Sequence, residues 1–300
     1  MRVARVLAQA KINLLLRVGP REQTGYHQIL TVFQRIDLAD EVVVRVGGSV
    51  RALDCAGPRL PASGLGAPDE NLAYRAAVAY ADRANWVRGF SIELTKNIPV
   101  GGGLGGGSAD AGAVLRMLDA LAHEPLGPDV LADVASALGA DVSFLTGPNV
   151  LSLGMNRGDL LTPLASLPVR DVVLAIPDFA IRTADAYRWL DEAGGGSLTP
   201  VSLAPDSAVI GLVGTESWNA VSQSTHNDFE LALEPRYPRL REFREQLGTA
   251  GARFARLSGS GSTVFGVFEG SAPDSRTLAL DASVIVTRTS ERVVQVEVLK

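Results

Sequence analysis

The sequence predicts an α+β fold, in which helices and strands mix without a regular alternation. Of the 300 residues, 46% are apolar and 20% are charged, which is typical of folded globular proteins. Segments with helical and with strand-like spacing both occur, but they lack the strand–helix–strand rhythm of a doubly wound sheet. The length suits one large domain or two ordinary ones. We predict a boundary that separates residues 1–162 from 163–300.

Four predicted helices carry start or stop signals. The first follows Asn71, whose side chain can cap the free amide groups of the first turn. The second follows Ser108, with apolar residues recurring on one face. The third begins at Pro128, a residue favoured in a first turn, and stops at Gly139. The fourth ends before Gly248.

Strand-like stretches separate the helices. They are rich in β-branched and aromatic residues and are bounded by turn residues. The predicted strands cover residues 41–46, 90–95, 172–176, 254–257, 263–268 and 293–299. The glycine-rich, then polar segment 193–206 is predicted to be a loop.

Charge and cysteine content exclude several classes of protein. A net charge of -5 argues against nucleic-acid binding, although backbone amides can still hold a nucleotide's phosphates. The single cysteine, Cys55, cannot form an internal disulfide, so we expect a cytoplasmic protein. The chain contains one cysteine and three histidines, so a structural zinc site is not expected. The chain shows neither a signal-peptide pattern nor an apolar run of membrane-spanning length.

The strongest functional signal is the segment PVGGGLGGGSAD at residues 99–110. Six of the seven residues 101–107 are glycine. Glycines let the backbone approach an anion without a Cβ clash, and the amide groups of the helix that follows face that anion. Ser108 can serve as a helix cap, a phosphate donor or a magnesium ligand. We therefore predict that this segment binds the phosphates of a nucleotide.

Other interpretations of the glycine segment are weaker. Gly101, Gly103 and Gly106 have the spacing of a dinucleotide-binding fingerprint, but residues 96–100 separate them from the preceding strand. No Gly-Lys-Ser/Thr follows, which excludes a Walker loop. A glycine loop without a ligand is disfavoured, because so many glycines cost backbone entropy with no structural return.

A second glycine cluster, LSGSGSTVFGVF at residues 257–268, lies between two predicted strands. It fits a second anion-binding nest near the first loop. Taken alone, the pattern favours a plain hairpin turn.

Lys11 and Asp141 are charged residues in apolar surroundings. Strand alternation places Lys11 and Asn13 on one face, and Asp141 follows the helix stop at Gly139. A buried lysine and a buried aspartate are costly unless they pair. From spacing alone, a solvated strand lysine and a turn aspartate are favoured over such a pair.

Together, these segments resemble the GHMP small-molecule kinases. The resemblance is carried by AKINLLLRV at 10–18, PVGGGLGGGSAD at 99–110 and LSGSGSTVFGVF at 257–268. Three further segments are similar to the branch of this family that phosphorylates CDP-methylerythritol. They are GYHQILTVFQRIDLAD at 25–40, GADVSF at 139–144 and HNDFE at 226–230. The resemblance covers most of the chain and implies two domains with the active site in the cleft between them.

The resemblance implies a reaction and two catalytic residues. ATP, with Mg²⁺, would donate its γ-phosphoryl group to the 2-hydroxyl of CDP-methylerythritol in the non-mevalonate isoprenoid pathway. Asp141 matches the position taken as the general base, and Lys11 lies beside it. The lysine would stabilise the carboxylate's charge and help orient the attacking hydroxyl. Positioning and neutralisation of the transferred group's charge would supply the rest.

The resemblance also implies binding residues for both substrates. Tyr26 and His27 offer a stacking face and hydrogen bonds to a cytosine ring, although core packing stays open for Tyr26 and Phe33. A second aromatic partner is either Phe179 or Tyr187. The expected acceptor-binding residues are Asn13, Tyr26, His27 and Phe33. The expected ATP-binding residues are Asn71, Lys96, Asn97, Pro99, Val100, Gly101, Gly102, Gly103, Leu104, Gly105, Gly106, Gly107, Ser108 and Ala109.

Three competing functions remain open. A GHMP kinase for mevalonate or homoserine is disfavoured, because those acceptors carry no base for Tyr26 and His27 to bind. A non-catalytic sensor of the same fold is disfavoured by the presence of both Lys11 and Asp141. A nicotinamide-dependent dehydrogenase is a distant third. We expect a small-molecule partner only, with monomer and homodimer both open, and no nucleic-acid or membrane partner.

Overall fold

Two β-sheets and the helices packed against them form the fold in a computed structural model that describes residues 2–86, 88–197 and 217–299. The strands are β1 (Arg2–Arg21), β2 (His27–Val46), β3 (Arg51–Ala56), β4 (Phe90–Thr95), β5 (Leu151–Met155), β6 (Leu160–Pro163), β7 (Asp171–Ile176), β8 (His226–Asn227), β9 (Phe254–Leu257), β10 (Val264–Phe268), β11 (Ser283–Arg288) and β12 (Glu297–Leu299). The helices are α1 (Leu72–Arg83), α2 (Gly106–Leu121), α3 (Pro128–Leu138), α4 (Ala140–Thr146), α5 (Thr183–Glu192), α6 (Trp218–Ser224), α7 (Phe229–Leu233) and α8 (Pro238–Thr249). The mixture confirms the predicted α+β class.

The larger sheet is built around a long antiparallel hairpin of β1 and β2. Its strand order is β12-β1-β2-β4-β3, with β5 and β6 continuing from β2 and β8 beside β1. The smaller sheet has the order β11-β7-β10-β9. None of the helices in the described part of the chain combines the length and apolar composition that a bilayer span requires.

The hairpin is much longer than the sequence pattern indicated. Of β2, the pattern predicts only residues 41–46 as a strand, whereas the observed strand covers His27–Val46. Residues 8–16 of β1 and 29–36 of β2 are buried on both faces of the sheet. A strand buried on both faces has no alternation of apolar and polar residues. The alternating pattern therefore revealed only the half of β2 that has one solvent-facing side.

The predicted helices are confirmed, with small shifts at their ends. Asn71 caps α1 by accepting a hydrogen bond from the amide of Ala73 (2.9 Å), and α3 runs from Pro128 to a stop at Gly139. The second helix begins two residues before Ser108, because Gly105 makes the left-handed turn (φ +70°) that precedes it. The last helix continues through Gly248 to Thr249.

The strands predicted at 90–95 and 254–257 have the observed bounds. The prediction at 293–299 was too long, since β12 covers only Glu297–Leu299. Before it, the side chain of Gln9 bonds the backbone, accepting from the amide of Val294 (3.0 Å) and donating to the carbonyl of Arg292 (3.1 Å). The Gln9 side chain thus takes the hydrogen bonds that a neighbouring strand would make with the backbone of Arg292 and Val294.

Contacts between the two halves of the chain are extensive. The second half contributes β8 and β12 to the larger sheet, both paired with β1. A hydrophobic cluster joins Leu16, Val18 and Ile29 of the hairpin to α5, α7 and α8. The boundary between residues 162 and 163 stays a prediction. Residues 193–197 form the start of the predicted loop, and its remainder lies outside the described residues.

Candidate active site

A cleft of about 630 Å³ lies where β1, the glycine segment, α4 and α5 meet. It brings together most of the predicted site residues. Those lining it are Lys11, Asn13, Phe33, Asn71, Lys96, Pro99, Val100, Gly101, Gly102, Gly103, Leu104, Gly105, Gly106, Gly107, Ser108 and Asp141. Four predicted residues do not line it, namely Tyr26, His27, Asn97 and Ala109. The carboxamide of Asn97 instead donates to the carbonyl of Ala39 (3.1 Å).

The glycine segment needs glycine for its backbone shape and for its close contacts. Gly101, Gly103 and Gly105 all have left-handed φ angles between +70° and +76°. A Cβ on Gly103 would overlap the carbonyl oxygen of Ser258, and one on Gly105 would lie 3.1 Å from the Lys11 side chain. The loop is therefore held at a fixed distance from the catalytic candidates.

The second glycine cluster packs directly on the first. The hydroxyl of Ser258 donates to the carbonyl of Gly103 (2.9 Å), and the amide of Thr263 donates to the carbonyl of Gly102 (3.1 Å). Asn227 fixes the turn by donating to the carbonyls of Leu257 (2.7 Å) and Gly259 (2.9 Å). The two clusters thus form one wall, which confirms their predicted proximity. A role for the second cluster in anion binding stays a prediction.

We expect Gly103→Ala to raise the KM for ATP about tenfold, because the overlap with Ser258 must displace the loop. The measurement is ADP release at varied ATP concentration. Gly127→Ala is the matched control: Gly127 has the same left-handed backbone (φ +79°), no neighbour within 4 Å and no place in the cleft. Gly127→Ala should leave the KM for ATP unchanged, and an equal KM in both variants would contradict a role for the contact at Ser258 in ATP binding.

Lys11 and Asp141 form the predicted pair. The Nζ of Lys11 is 3.3 Å from the Oδ2 of Asp141 and donates to the Oδ1 of Asn13 (2.7 Å). The amide of Lys11 donates to the carbonyl of Leu104 (3.0 Å), which ties β1 to the glycine loop. Lys11 is buried (3% exposed), whereas the Asp141 carboxylate is 34% exposed. A reactive hydroxyl can therefore approach Asp141 from the cleft.

Lys96 occupies a buried cluster with two carboxylates. Its Nζ pairs with Asp40 on β2 and with the Oδ2 of Asp110 on α2 (2.5 Å), and all three side chains are at most 2% exposed. The other oxygen of Asp40 accepts from the amides of Asn97 (2.5 Å) and Ile98 (2.8 Å). The cluster therefore anchors the start of the glycine segment. Burial alone would lower the pKa of Lys96, but the charges of Asp110 and Asp40 raise it.

Burial raises the pKa of Asp110 from its ordinary 3.8 to about 7, against the opposing effect of Lys96. Between these two values the folded chain binds more protons at this site than the unfolded chain, so this carboxyl's contribution to stability is lost as pH rises. We expect Asp110→Asn to remove that loss. The difference in free energy of unfolding, variant minus unaltered protein, should therefore become more positive from pH 4 to pH 8. Urea denaturation across this range measures it. Asp133→Asn, which removes an exposed carboxylate outside this cluster, is the control, and a difference for Asp110→Asn that did not change with pH would contradict the assignment.

Tyr187 links one of the residues predicted to bind the acceptor, His27, to the cleft. Its ring stacks on His27 at 4.9 Å between centroids and lines the cleft. Phe179 instead stacks on Tyr237 and does not reach the cleft, so Tyr187 is the aromatic residue at this position. Burial, with the charge of Asp141 adding to it, raises the pKa of Tyr187 to about 12. The phenol is thus neutral and able to donate a hydrogen bond.

His27 is held in one orientation. Its Nδ1 is 2.9 Å from the carbonyl of Gly19, which can only accept, so Nδ1 carries a proton. The Nε2 is 3.5 Å from a carboxylate oxygen of Asp191. Tyr26 beside it is 58% exposed, and the guanidinium carbon of Arg157 lies 4.0 Å from the centroid of its ring.

Phe33 is a buried support of the cleft floor. Its ring stacks on Phe144 (4.9 Å), and Lys11 lies 5.9 Å from its centroid. The buried guanidinium of Arg35 holds the far end of α4 by donating to the carbonyls of Phe144, Gly147 (both 2.9 Å) and Asn149 (3.1 Å). Burial lowers the pKa of Arg35 to about 9. These contacts position α4, which carries Asp141.

Some cleft residues are not among the predicted ones. Asp110 could have been suspected, since it is a lone carboxylate in a segment of small and apolar residues, whereas its partner Asp40 lies among other charged residues and shows no such signal. Arg157 also lines the cleft, but it lies in a polar turn that no local pattern distinguishes from ordinary surface.

Family models match both halves of the chain. The GHMP kinases N terminal domain matches residues 71–148, and the GHMP kinases C terminal domain matches residues 215–283. The first match contains the glycine segment and Asp141, and the second contains the glycine cluster that packs on it.

Relatives match over most of the chain. A 4-diphosphocytidyl-2-C-methyl-D-erythritol kinase of Anaeromyxobacter dehalogenans is 44% identical over 88% of this chain and 80% of its own length. One of Citrifermentans bemidjiense is 38% identical over 90% of this chain and 91% of its own. A crystal structure of 4-(cytidine 5'-diphospho)-2C-methyl-D-erythritol kinase superposes with a TM-score of 0.72 at 34% identity, covering 95% of this chain and 98% of that one. The chain is therefore a small-molecule kinase that belongs to the GHMP kinase family, in its 4-diphosphocytidyl-2-C-methyl-D-erythritol kinase group.

Proposed function

We propose that the protein transfers the γ-phosphoryl group of ATP to the 2-hydroxyl of 4-(cytidine 5'-diphospho)-2-C-methyl-D-erythritol in the non-mevalonate isoprenoid pathway. The observation that carries the proposal is the Lys11–Asp141 pair, 3.3 Å apart in the same cleft as the glycine loop and the Tyr187 ring. A kinase for a cytidine-bearing alcohol needs these three parts together: a phosphate cradle, a proton acceptor and an aromatic surface. The names of the relatives support the same substrate.

Asp141 accepts the proton of the substrate's 2-hydroxyl while the oxygen of that hydroxyl forms a bond to the γ-phosphorus of ATP. The bond between the γ-phosphorus and the β–γ bridging oxygen breaks, and ADP is released. Lys11 holds the carboxylate in place and presents positive charge to the transferred group. Membership of the GHMP kinase family implies that ATP is the phosphoryl donor. The backbone amides of residues 101–108 bind the phosphates of this ATP. Most of the rate enhancement then comes from positioning and charge.

The donor set in the cleft fits Mg²⁺. Ser108 supplies a hydroxyl oxygen beside the glycine segment, and no group of three or more His, Cys, Asp or Glu side chains that could hold a metal ion occurs among the described residues. Mg²⁺ is commonly held by one or two protein oxygens together with substrate phosphates and water. When bound, it would neutralise charge on the phosphates.

On the acceptor side, Tyr26 and Tyr187 offer rings for the cytosine, and His27 backs the Tyr187 ring. Asn13 lies beside Lys11 and can contact the hydroxyl groups of methylerythritol. The nucleotide side comprises Asn71 and the glycine segment, with Lys96 and Asn97 holding its first residues in place. We also propose a cytoplasmic location, with a monomer and a homodimer both compatible with the site.

A coupled ADP-release assay with Mg²⁺ and three acceptors tests the function. We expect turnover with CDP-methylerythritol and none with mevalonate or homoserine. Turnover with mevalonate or homoserine alone would overturn the proposed substrate. Binding of ATP and CDP-methylerythritol without ADP release would identify a sensor instead.

A further inference from the structure

Three cations line the cleft in the described part of the chain, and two of them have carboxylate partners. Lys11 pairs with Asp141, and Lys96 pairs with two buried aspartates. The guanidinium of Arg157 forms neither an ion pair nor a hydrogen bond with any residue that the structure describes. It is the cation in this set that is available to a ligand.

The backbone at Arg157 is firmly held. Arg157 lies in the turn between β5 and β6, where Asn156 has a left-handed φ of +62°. The carbonyl of Asn156 accepts from the amide of Ile29 (2.6 Å). The Oδ1 of Asp159 accepts from the carboxamide of Asn156 (3.0 Å) and from the amide of Arg157 (3.2 Å). The turn therefore presents the side chain from a defined point.

The turn that carries Arg157 lies between the Tyr26 ring and the helix residue that precedes Asp141. A Cβ on Gly158 would lie 3.1 Å from the Cβ of Ala140, so the turn packs against the residue that precedes Asp141. The guanidinium carbon of Arg157 lies 4.0 Å from the centroid of the exposed Tyr26 ring. Stacking uses the flat face of the guanidinium and leaves its edge N–H groups directed outward, where they can bind a phosphate in their plane.

The carboxylate of Glu22 does not neutralise this cation. Glu22 accepts from Gln28 (2.9 Å) and from Thr24 (3.0 Å) and forms no ion pair with Arg157. Hydrogen bonds from Gln28 and Thr24 lower the pKa of Glu22, and the charge of Arg157 adds to this effect. Within the described part of the chain, the N–H groups of the guanidinium therefore remain available.

We infer that Arg157 binds the diphosphate of the acceptor; this inference rests on the proposed function. In that substrate the diphosphate links the cytidine to the methylerythritol, whose 2-hydroxyl must reach Asp141. The diphosphate therefore lies between the aromatic surface and the carboxylate, the interval that Arg157 occupies. Arginine forms charge-assisted, often bidentate, hydrogen bonds with phosphate oxygens.

The test compares CDP with cytidine, since the two differ only in the diphosphate. Isothermal titration calorimetry measures both affinities for the unaltered protein and for Arg157→Gln. We expect the CDP-to-cytidine affinity ratio to fall about tenfold in the variant, with cytidine binding unchanged. In turnover, the KM for CDP-methylerythritol rises by a similar factor, while kcat and the KM for ATP stay within about threefold. Arg157→Lys keeps the charge and retains part of the ratio.

Three results would overturn the role of Arg157: an unchanged affinity ratio, an equal loss for CDP and cytidine, or a loss confined to ATP and ADP. Each leaves the proposed function intact as long as the unaltered protein phosphorylates CDP-methylerythritol. Failure of that turnover would remove both proposals. Arg83→Gln, which removes the same charge from an exposed position of α1 outside the cleft, is expected to leave the ratio unchanged. Equal thermal unfolding of Arg157→Gln and the unaltered protein excludes a folding defect.

Discussion

Replacing Asp141 by Asn is expected to lower kcat about 10²–10⁴-fold, the usual contribution of a positioned general base. The carboxamide keeps the shape of the side chain but cannot accept the hydroxyl proton or pair ionically with Lys11. Affinity for ATP should change little, because the phosphate cradle is formed by the separate glycine segment. Steady-state kinetics with CDP-methylerythritol, together with ATP titration, separates the two effects.

Asp133→Asn is the matched control, because it removes an exposed carboxylate from the neighbouring helix α3, outside the cleft. It should leave kcat unchanged. Turnover of Asp141→Asn within about threefold of the unaltered enzyme would exclude Asp141 as the base. A loss of ATP affinity equal to the loss of kcat would show that the substitution disturbs the cleft as a whole.

The second large effect is on stability. Lys96→Met should lower the free energy of unfolding by about 3–5 kcal/mol, because it leaves two buried carboxylates without their shared cation. Asp40 keeps two backbone hydrogen bonds, whereas the Oδ1 of Asp110 has no partner in the described residues. The loss should be smaller at pH 5 than at pH 8, since protonation of one carboxyl relieves the repulsion. Urea denaturation at both pH values measures it.

Two comparisons sharpen this prediction. Arg45→Met breaks the exposed Arg45–Glu93 pair between β2 and β4 of the same sheet, and should cost at most about 1 kcal/mol. The double variant Lys96→Met with Asp110→Asn should recover part of the loss, because only one buried charge then remains. A Lys96→Met variant as stable as Arg45→Met would show that the buried cluster contributes little to the fold.

Local patterns explain why the sequence predicted some elements well and others poorly. Asn71, Pro128 and Gly139 act through their own backbone or first-turn contacts, so the helices they bound were predicted correctly. The double burial of residues 29–36 removes the alternation that identifies a strand, so most of β2 was missed. The end of the chain was overpredicted as a strand, because the competing partner, Gln9, is almost three hundred residues away.

The sequence by itself determined the glycine segment and the family resemblance, since both depend on residue types at short spacing, and the resemblance in turn named the two catalytic candidates. Spacing alone favoured a solvated Lys11 and a turn Asp141, and only the fold places them 3.3 Å apart with Lys11 buried. The tertiary structure likewise decided that Tyr187 rather than Phe179 lines the cleft and that Lys96 is neutralised by two aspartates, whereas Arg157 has no ion-pair partner among the residues that the structure describes. These outcomes depend on pairing between segments far apart in the chain, which local sequence patterns do not encode.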